Sequence, residues 1–310
     1  MHSALQVQNF NPISDADAEK AKYRLFLIQP FMIPEETPYS VHRSVHASSV
    51  SIPKEKRLMD YENIRHLLED GSVWWEFGTG PLASYGNWPV ETREEFALVG
   101  AGRLAIVREA CKSGKYNGIV LLGGGEPGLI ESREIGKQFG IPVTGSAFAQ
   151  MHVASMLGNK FSVIDVSEVH NMYYYNLVVQ HRFTDRCASI RNINFPLPRP
   201  GHPEERPIRI EREKANRGER SAMVEAAVDE AIAAIEEDGA EVLIMGCSAS
   251  FWLRPYLQNR LAEVGWDVPV LDGIGSAIAL CKMMIDLRVD ASGLMLPPEA
   301  PKKWRRKKTF

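Results

Sequence analysis

Two short apolar runs, each ending in a glycine turn, constrain the fold of this chain more than any other feature. The runs are GIVLLGG, residues 118–124, and EVLIMGCS, residues 241–248. Each is followed by a helical pattern and then by a strand with similar letters, GIPVTGSA in the first half and DVPVLDGIGSA in the second. Continuous apolar runs of this kind are typical of parallel strands that are buried on both faces. The two halves of the chain therefore repeat one α/β unit.

The rest of the sequence alternates strands and amphipathic helices through short glycine turns, which indicates a doubly wound α/β fold. We predict two pseudo-symmetric lobes with parallel sheets and an active-site cleft between them, because ligands bind beyond the carboxyl ends of parallel strands. The first lobe is expected at residues 1–144 plus 270–310, with a basic C-terminal tail, and the second at residues 145–269. Residues 185–215 are rich in Pro, Arg and Glu and are predicted to be an irregular insertion, either a lid or an inter-subunit arm.

Composition narrows the class of protein. A net charge of −3 over 310 residues gives no reason to expect a nucleic-acid partner. No apolar run approaches the roughly 18 residues that a membrane span needs. The four cysteines form no CxxC pair, which argues against a zinc site and favours a reducing compartment. We expect a cytoplasmic homo-oligomer with a small-molecule substrate, no nucleic-acid partner and no membrane contact.

The glycines at 123, 125 and 128 spell G-x-G-x-x-G, but they do not complete a dinucleotide site. That site needs an acidic residue about 20 positions later, and the strand IPVTGSA ends in Thr144, Gly145 and Ser146 instead. Pro127 also removes one amide donor from the loop. The loop is therefore predicted to hold a small anion, such as a carboxylate, on backbone amides at a helix start, with no cofactor.

Three side chains near the predicted cleft are candidates for chemistry or binding. Glu126 lies inside the glycine turn and serves either as a general acid or base or as a cap on the helix dipole. His170 follows the strand FSVIDVSE, at a place from which a side chain reaches the cleft. Tyr173, in the run NMYYYN, either lines the cleft or packs in the core.

Cys247 is the strongest catalytic candidate. It ends a buried strand in MGCSAS, where the chain turns into a helix, so that amides and the positive end of a dipole would stabilise a thiolate. The alternative is a small buried hydrophobe, which is the commoner role of a free cysteine. The sequence contains no spaced histidine metal motif and no G-x-S-x-G elbow, so a serine hydrolase is not expected.

Three segments of the chain resemble a known protein family. They are GIVLLGGGEPGLIESREIGKQFGIPVTGSAFAQMHVASMLGNKFSVID, GAEVLIMGCSAS and VPVLDGIGSAI. Their order and their residues are similar to those of the hydantoin racemase branch of the aspartate/glutamate racemase superfamily, over about residues 23 to 287. The resemblance implies a cofactor-free enzyme that binds a small carboxylate or cyclic imide between its lobes. It also implies two cysteines, one per lobe, that remove and return a proton on opposite faces of one carbon.

The chain departs from the family at the first of these cysteines. The family motif Cys-x-Gly-Asp-Pro-Gly reads GGGEPG here, so Gly123 stands in place of the first thiol and Cys247 in place of the second. The resemblance then leaves three functions open. One is a single-cysteine enzyme of the decarboxylase or isomerase type, since arylmalonate decarboxylase also has glycine in the first lobe. Another is a hydantoin or amino-acid racemase in which Glu126 or His170 replaces the thiol. The third is a protein that binds a small carboxylate without catalysis.

The resemblance also marks positions for substrate binding. Gly123, Gly124, Gly125 and Ser248 follow the two central strands and are predicted to bind the substrate, the last three as the expected oxyanion contacts. Gln29 stands where the family has an asparagine in the turn after its first strand. Asp272 matches an acidic residue of the family's DG turn, or it simply forms the turn.

Overall fold

The computed structural model describes residues 10–34, 37–42, 51–83, 85–201 and 208–297, together with Lys303 and Arg306. Two four-stranded parallel sheets form its framework. The first sheet contains β1 Tyr23–Ile28, β2 Val73–Gly78, β3 Gly118–Leu121 and β4 Val143–Gly145. The second contains β5 Phe161–Asp165, β6 Cys187–Asn192, β7 Val242–Met245 and β8 Val270–Leu271.

The two sheets have the same topology. Their strand orders are β2-β1-β3-β4 and β6-β5-β7-β8, so each sheet places its second, first, third and fourth strands in that order. The third strands of the two sheets, β3 and β7, are therefore equivalent. Gly123 and Cys247 each lie two residues beyond the end of their strand, which agrees with the repeat read from the sequence.

Ten α-helices are found in the part of the chain that the structure describes. Those of the first half are α1 Lys54–Arg57, α2 Tyr61–Leu68, α3 Arg93–Lys112, α4 Leu129–Phe139 and α5 Ser146–Leu157. Those of the second half are α6 Asn171–Gln180, α7 Ile208–Asn216, α8 Ala222–Glu236, α9 Arg254–Glu263 and α10 Gly273–Asp286. Short 3-10 turns occur at Asp15–Lys20, Glu168–His170 and Ser248–Leu253.

Local sequence signals fix where the important helices start. Thr92 and Glu95 form a reciprocal capping box at the start of α3, which orients this helix beside the first sheet. The Asp272 carboxylate accepts a hydrogen bond of 2.7 Å from the Gly275 amide and caps α10. Helix α10 then packs against β3 and β4 of the first sheet, although it follows the last strand of the second.

The hydrophobic core runs through both lobes. One cluster of buried side chains joins Leu25 and Val120 of the first sheet to Ile164 and Leu243 of the second. Every residue of β3, β5 and β7 is buried, as expected for central parallel strands. The α/β fold with two similar lobes is confirmed, and a shared core holds the lobes together.

Parts of residues 185–215 form regular elements. They contain the edge strand β6 and most of α7, so the prediction of an irregular insertion was wrong for these parts. All six residues of β6 are half-buried, which is why the sequence CASIRN lacks the apolar run of a central strand. Strand β8 pairs with β7, so the second sheet extends past the boundary predicted at residue 269. Most of the basic tail, residues 301–310, lies outside the described residues.

Candidate active site

A cavity lies between the lobes, beyond the carboxyl ends of the central strands, and together with the open solvent at its mouth it spans about 580 Å³. Backbone of the glycine loop, the turn that follows β7 and several apolar side chains form its wall. The polar or reactive part of the wall consists of Gly123, Gly124, Gly125, Asp165, His170, Cys247 and Ser248. The apolar part includes Pro30, Phe31, Val90, Phe96, Tyr173 and Leu197. The cleft predicted from the two strand ends is therefore present.

Gly123 has a backbone conformation that suits glycine. Its φ is +106°, a value that residues with a side chain rarely adopt. A Cβ at this position would lie 3.1 Å from the Cβ and Cγ atoms of Pro30. A thiol at this point of the loop would therefore need a different backbone path, and no acid or base is supplied to the cavity here.

Gly124 brings the backbones of the two lobes close together. A Cβ at this position would lie 1.8 Å from the carbonyl oxygen of Gly246 and 2.8 Å from the Cα of Cys247. Only a hydrogen atom fits in this space. The two equivalent strand ends are thus in backbone contact directly beside the predicted thiol.

Cys247 lines the cavity and precedes the 3-10 turn Ser248–Leu253. Burial raises the pKa of its thiol, the Asp165 carboxylate raises it further, and the Ala249 amide offsets only part of this. The direction is opposite to the sequence-based expectation of a thiolate, because that expectation included the helix-start amides but not the nearby carboxylate. These surroundings therefore favour the protonated thiol over the thiolate.

Asp165 is a site residue that the sequence reasoning did not identify. It is the last residue of β5, and β5 pairs with β7, so its carboxylate lies against the backbone that precedes Cys247. A Cβ at Gly246 would lie 2.4 Å from the Asp165 Cγ. The Val166 amide donates a hydrogen bond of 2.7 Å to Oδ1. Its Oδ2 has no partner among the described residues although it is buried. A carboxylate at the end of a buried strand was the available signal.

His170 is brought next to this carboxylate. Its Nδ1 lies 3.5 Å from Asp165 Oδ1, while its buried Nε2 has no partner in the part of the chain that is described. Burial opposes the charged imidazolium, but the hydrogen bond and charge of Asp165 outweigh it and raise the pKa of His170. The predicted place of His170 at the cleft agrees with the structure, which adds that it shares a lobe with Cys247.

Glu126 is turned away from this cavity. Its carboxylate accepts a hydrogen bond of 2.9 Å from the Phe148 amide and contacts the His181 Nε2. The side chain is buried, and its backbone φ of +42° is in the left-handed region. These contacts tie the glycine loop to α5 and to the end of α6. Of the two roles considered for Glu126, they favour the structural one.

Two of the predicted binding residues also lie outside the cavity wall. Gln29 is buried, and its Oε1 has no hydrogen-bond partner among the described residues. Asp272 is used as the cap of α10, and burial raises its pKa despite the amides that bond to it. Ser248 and Tyr173, in contrast, both line the cavity.

The family of this chain follows from its similarity to known proteins. The sequence profile of the Asp/Glu/hydantoin racemase family matches residues 90–281, more than half of the chain. The chain belongs to the Asp/Glu/hydantoin racemase family. A hydantoin racemase of a Pseudomonas species is 28% identical over 191 residues, which are 61% of this chain and 67% of the relative.

Solved structures share the racemase-family fold. The allantoin racemase of Klebsiella pneumoniae superposes with a TM-score of 0.61 at 21% identity, over 92% of this chain and 97% of that one. A variant of arylmalonate decarboxylase superposes with a TM-score of 0.50 at 12% identity, over 85% of this chain and 93% of that one. The resemblance to the family that the sequence suggested is thus confirmed.

A buried arginine supports the glycine loop of this racemase-family chain and was also missed by the sequence reasoning. The Arg103 guanidinium donates hydrogen bonds to the carbonyls of Ile28 at 2.6 Å, Leu122 at 2.8 Å and Pro127 at 3.1 Å. Burial lowers its pKa to about 9, although the Glu126 carboxylate acts in the opposite direction. Arg103 therefore holds the ends of β1 and β3 and the far side of the loop in one arrangement.

Residues 193–200 form a strap across the cleft of the racemase-family fold. The Ile193 amide donates to the carbonyl of Asp165, and Leu197 lines the cavity. The Arg199 guanidinium then pairs with Glu91 at 3.0 Å and Glu95 at 2.9 Å, at the start of α3. The strap thus connects the second lobe to the first over the cavity.

None of the helices in the described part of the chain has the length and apolar character that a membrane span requires.

Proposed function

We propose that this chain is a cofactor-independent enzyme in which the Cys247 thiol transfers a proton to a carbanion or enediolate beside a carboxylate or imide carbonyl. The observation that carries this proposal is that the acid and base groups lie on one side of the cavity. Cys247, His170 and Asp165 come from the adjacent strands β5 and β7 or the turn after them. The equivalent position of the first lobe is Gly123, whose backbone conformation suits glycine.

The electrostatics of Cys247 and His170 support a separate role for each in the reaction. The raised pKa of Cys247 keeps a proton on sulfur, and the raised pKa of His170 extends the pH range over which the imidazolium is present. His170 lines the cavity and its Nε2 has no partner among the described residues, so an imidazolium there offers an N–H donor for the negative charge that develops on the substrate oxygen. Amides of Gly124 and Gly125 add further donors at the loop. Donors held in place before the reaction stabilise such an oxyanion at little cost in reorganisation.

Proton delivery from one side favours a reaction that needs only one face of the carbon. Loss of carbon dioxide followed by protonation is such a reaction, and so is an isomerisation with a single acid. The apolar side chains Phe31, Val90 and Leu197 provide surroundings in which a leaving carboxylate loses hydration. This is the chemistry of the decarboxylase or isomerase type.

Racemisation of a hydantoin or amino acid is the second candidate, and the similarity to named hydantoin racemases favours it. It requires a second acid or base in place of the missing thiol. His170 is the group in the cavity with a free ring nitrogen among the described residues, whereas Glu126 is engaged by Phe148 and His181. Because His170 and Cys247 belong to the same lobe, the substrate would have to turn between the two proton transfers.

The test is turnover of substituted malonates, hydantoins and amino acids in deuterated water. Release of carbon dioxide with one deuteron in a single enantiomer supports the proposal. Exchange of the α-proton without carbon dioxide supports the racemase. Cys247→Ala should abolish either signal, while Cys187→Ala, on the edge strand β6, should not. Binding without turnover, or full activity of Cys247→Ala, would contradict thiol chemistry and favour a binding protein.

A further inference from the structure

A second, more open groove lies behind the cavity wall. It spans about 1060 Å³, including the open solvent above it, and is lined by α3, the loop at Glu126–Leu129 and α6. The groove and the cavity share three wall residues, namely Phe96, Pro127 and Tyr173. The rings of Phe96 and Tyr173 therefore separate two spaces and are exposed to each of them.

The separating rings come from different lobes. Phe96 belongs to α3 of the first lobe and Tyr173 to α6 of the second, and their centroids lie 3.9 Å apart with an interplanar angle of 15°. A Cβ at Gly125 would lie 2.6 Å from Phe96 Cε1 and 2.8 Å from Tyr173 Cε1. The absence of a side chain at Gly125 thus allows the stacked pair to close directly over the glycine loop.

We propose that the Phe96–Tyr173 pair determines specificity by limiting the length of the substrate's apolar substituent, and that the groove behind it accepts longer substituents when the pair is reduced. This inference rests on the proposed function, because it assumes that the reacting carbon lies at Cys247 and the loop amides. The substrate class is a carboxylate or imide with a short aromatic or branched group, which contacts the ring faces of the pair. Beyond the pair, the groove presents Leu104, Leu129 and Leu177 together with the polar chains of Asn176 and Gln180.

Substitutions on α6 and α3 test the role of the Phe96–Tyr173 pair. Tyr173→Ala removes one ring of the pair, and Tyr175→Ala is its control, since Tyr175 is exposed on the same helix and lines neither space. Ala101→Trp, at an exposed position of α3 that lines only the groove, refills the space behind the pair.

The experiment measures kcat/KM for hydantoins and malonates that carry a methyl, benzyl or phenylbutyl group. Tyr173→Ala should raise the ratio of phenylbutyl to benzyl turnover by about tenfold or more, because several methylene contacts become available. Tyr175→Ala should leave this ratio unchanged, and adding Ala101→Trp to Tyr173→Ala should reverse the gain. An unchanged ratio in Tyr173→Ala would overturn the inference.

A crystal structure of Tyr173→Ala gives a second readout that does not depend on turnover. One continuous cavity from Cys247 to Asn176 supports the inference, and collapse of Phe96 into the vacated space contradicts it. If wild type turns over no member of either series, the proposed function fails, while the continuous or collapsed cavity still decides the role of the pair.

Discussion

Gly124 and Gly246 are in backbone contact across the two lobes. The space between them is so small that a Cβ on Gly124 would lie 1.8 Å from the Gly246 carbonyl oxygen. Gly124 is one of three consecutive glycines in its turn, and Gly246 is the single glycine between β7 and Cys247, so neither sequence context by itself reveals the contact. Their contact places the glycine loop directly beside Cys247, which makes the lobe spacing part of the site.

Gly124→Ala should separate the lobes or distort the loop. We expect a loss of stability of about 1–3 kcal/mol from overpacking, together with a larger loss of activity because the loop amides move away from Cys247. Urea unfolding and initial rates measure the two effects. Gly239→Ala is the control, because its added Cβ meets nothing within 4 Å and only its positive φ carries a cost. Equal effects of the two substitutions would contradict the contact.

Gly123→Cys should not turn the site into a two-thiol racemase. The φ of +106° and the nearby Pro30 ring disfavour any side chain, so the variant should lose about 1–2 kcal/mol of stability and should not gain α-proton exchange. Gly123→Ala serves as the matched control, since it adds the same Cβ without sulfur. Racemisation that appears in the cysteine variant alone would show that the loop adapts to a side chain.

Cys247 should react slowly with alkylating reagents at neutral pH. Only the thiolate is nucleophilic, and burial together with the Asp165 carboxylate raises the pKa of this thiol. Asp165→Asn removes the negative charge and should accelerate alkylation severalfold. Mass spectrometry of the peptide that contains Cys247, after timed exposure to iodoacetamide, measures the rate. Faster labelling of wild type than of Asp165→Asn would be the opposite of this expectation.

Activity should fall as the pH rises through the His170 pKa. The folded-state pKa is raised above the usual value of about 6.5, so the imidazolium and the stability it contributes are fully present below pH 6.5 and are lost as the pH rises through the folded-state pKa. Asp165→Asn should move the falling limb of kcat/KM to lower pH, because the stabilising carboxylate is gone. His170→Gln should remove this limb. A limb that stays in His170→Gln would assign the titration to another group.

Arg103→Met should destabilise the protein more than a change elsewhere on α3. The Leu122 and Pro127 carbonyls would lose the Arg103 donor, while the Ile28 carbonyl would keep its bond from the Leu122 amide, and each unsatisfied group costs about 1–3 kcal/mol. We expect a loss of at least about 2 kcal/mol in urea unfolding. Arg108→Met, five residues along the same helix and only half-buried, is the control and should change stability by less than about 1 kcal/mol. Similar losses of unfolding free energy in the two variants would show that Arg103 does not organise the loop.

The sequence by itself determined the repeated α/β unit, the equivalence of Gly123 and Cys247 and the position of the cleft. These features depend on local apolar patterns and glycine turns, which the chain carries regardless of its tertiary contacts. It also placed His170 near the strand end. The edge strand β6 was missed, because half-buried edge positions do not show the apolar run of a central strand.

Tertiary structure decided which side chains share one environment. Asp165 and Cys247 are 82 residues apart, and only the pairing of β5 with β7 makes the carboxylate raise the thiol's pKa. Glu126 is adjacent to the loop in sequence, yet its bonds to Phe148 and His181 turn it out of the cavity. Charge, burial and hydrogen bonding depend on neighbours in space, so the direction in which each group titrates was fixed by strand pairing and by the packing around it.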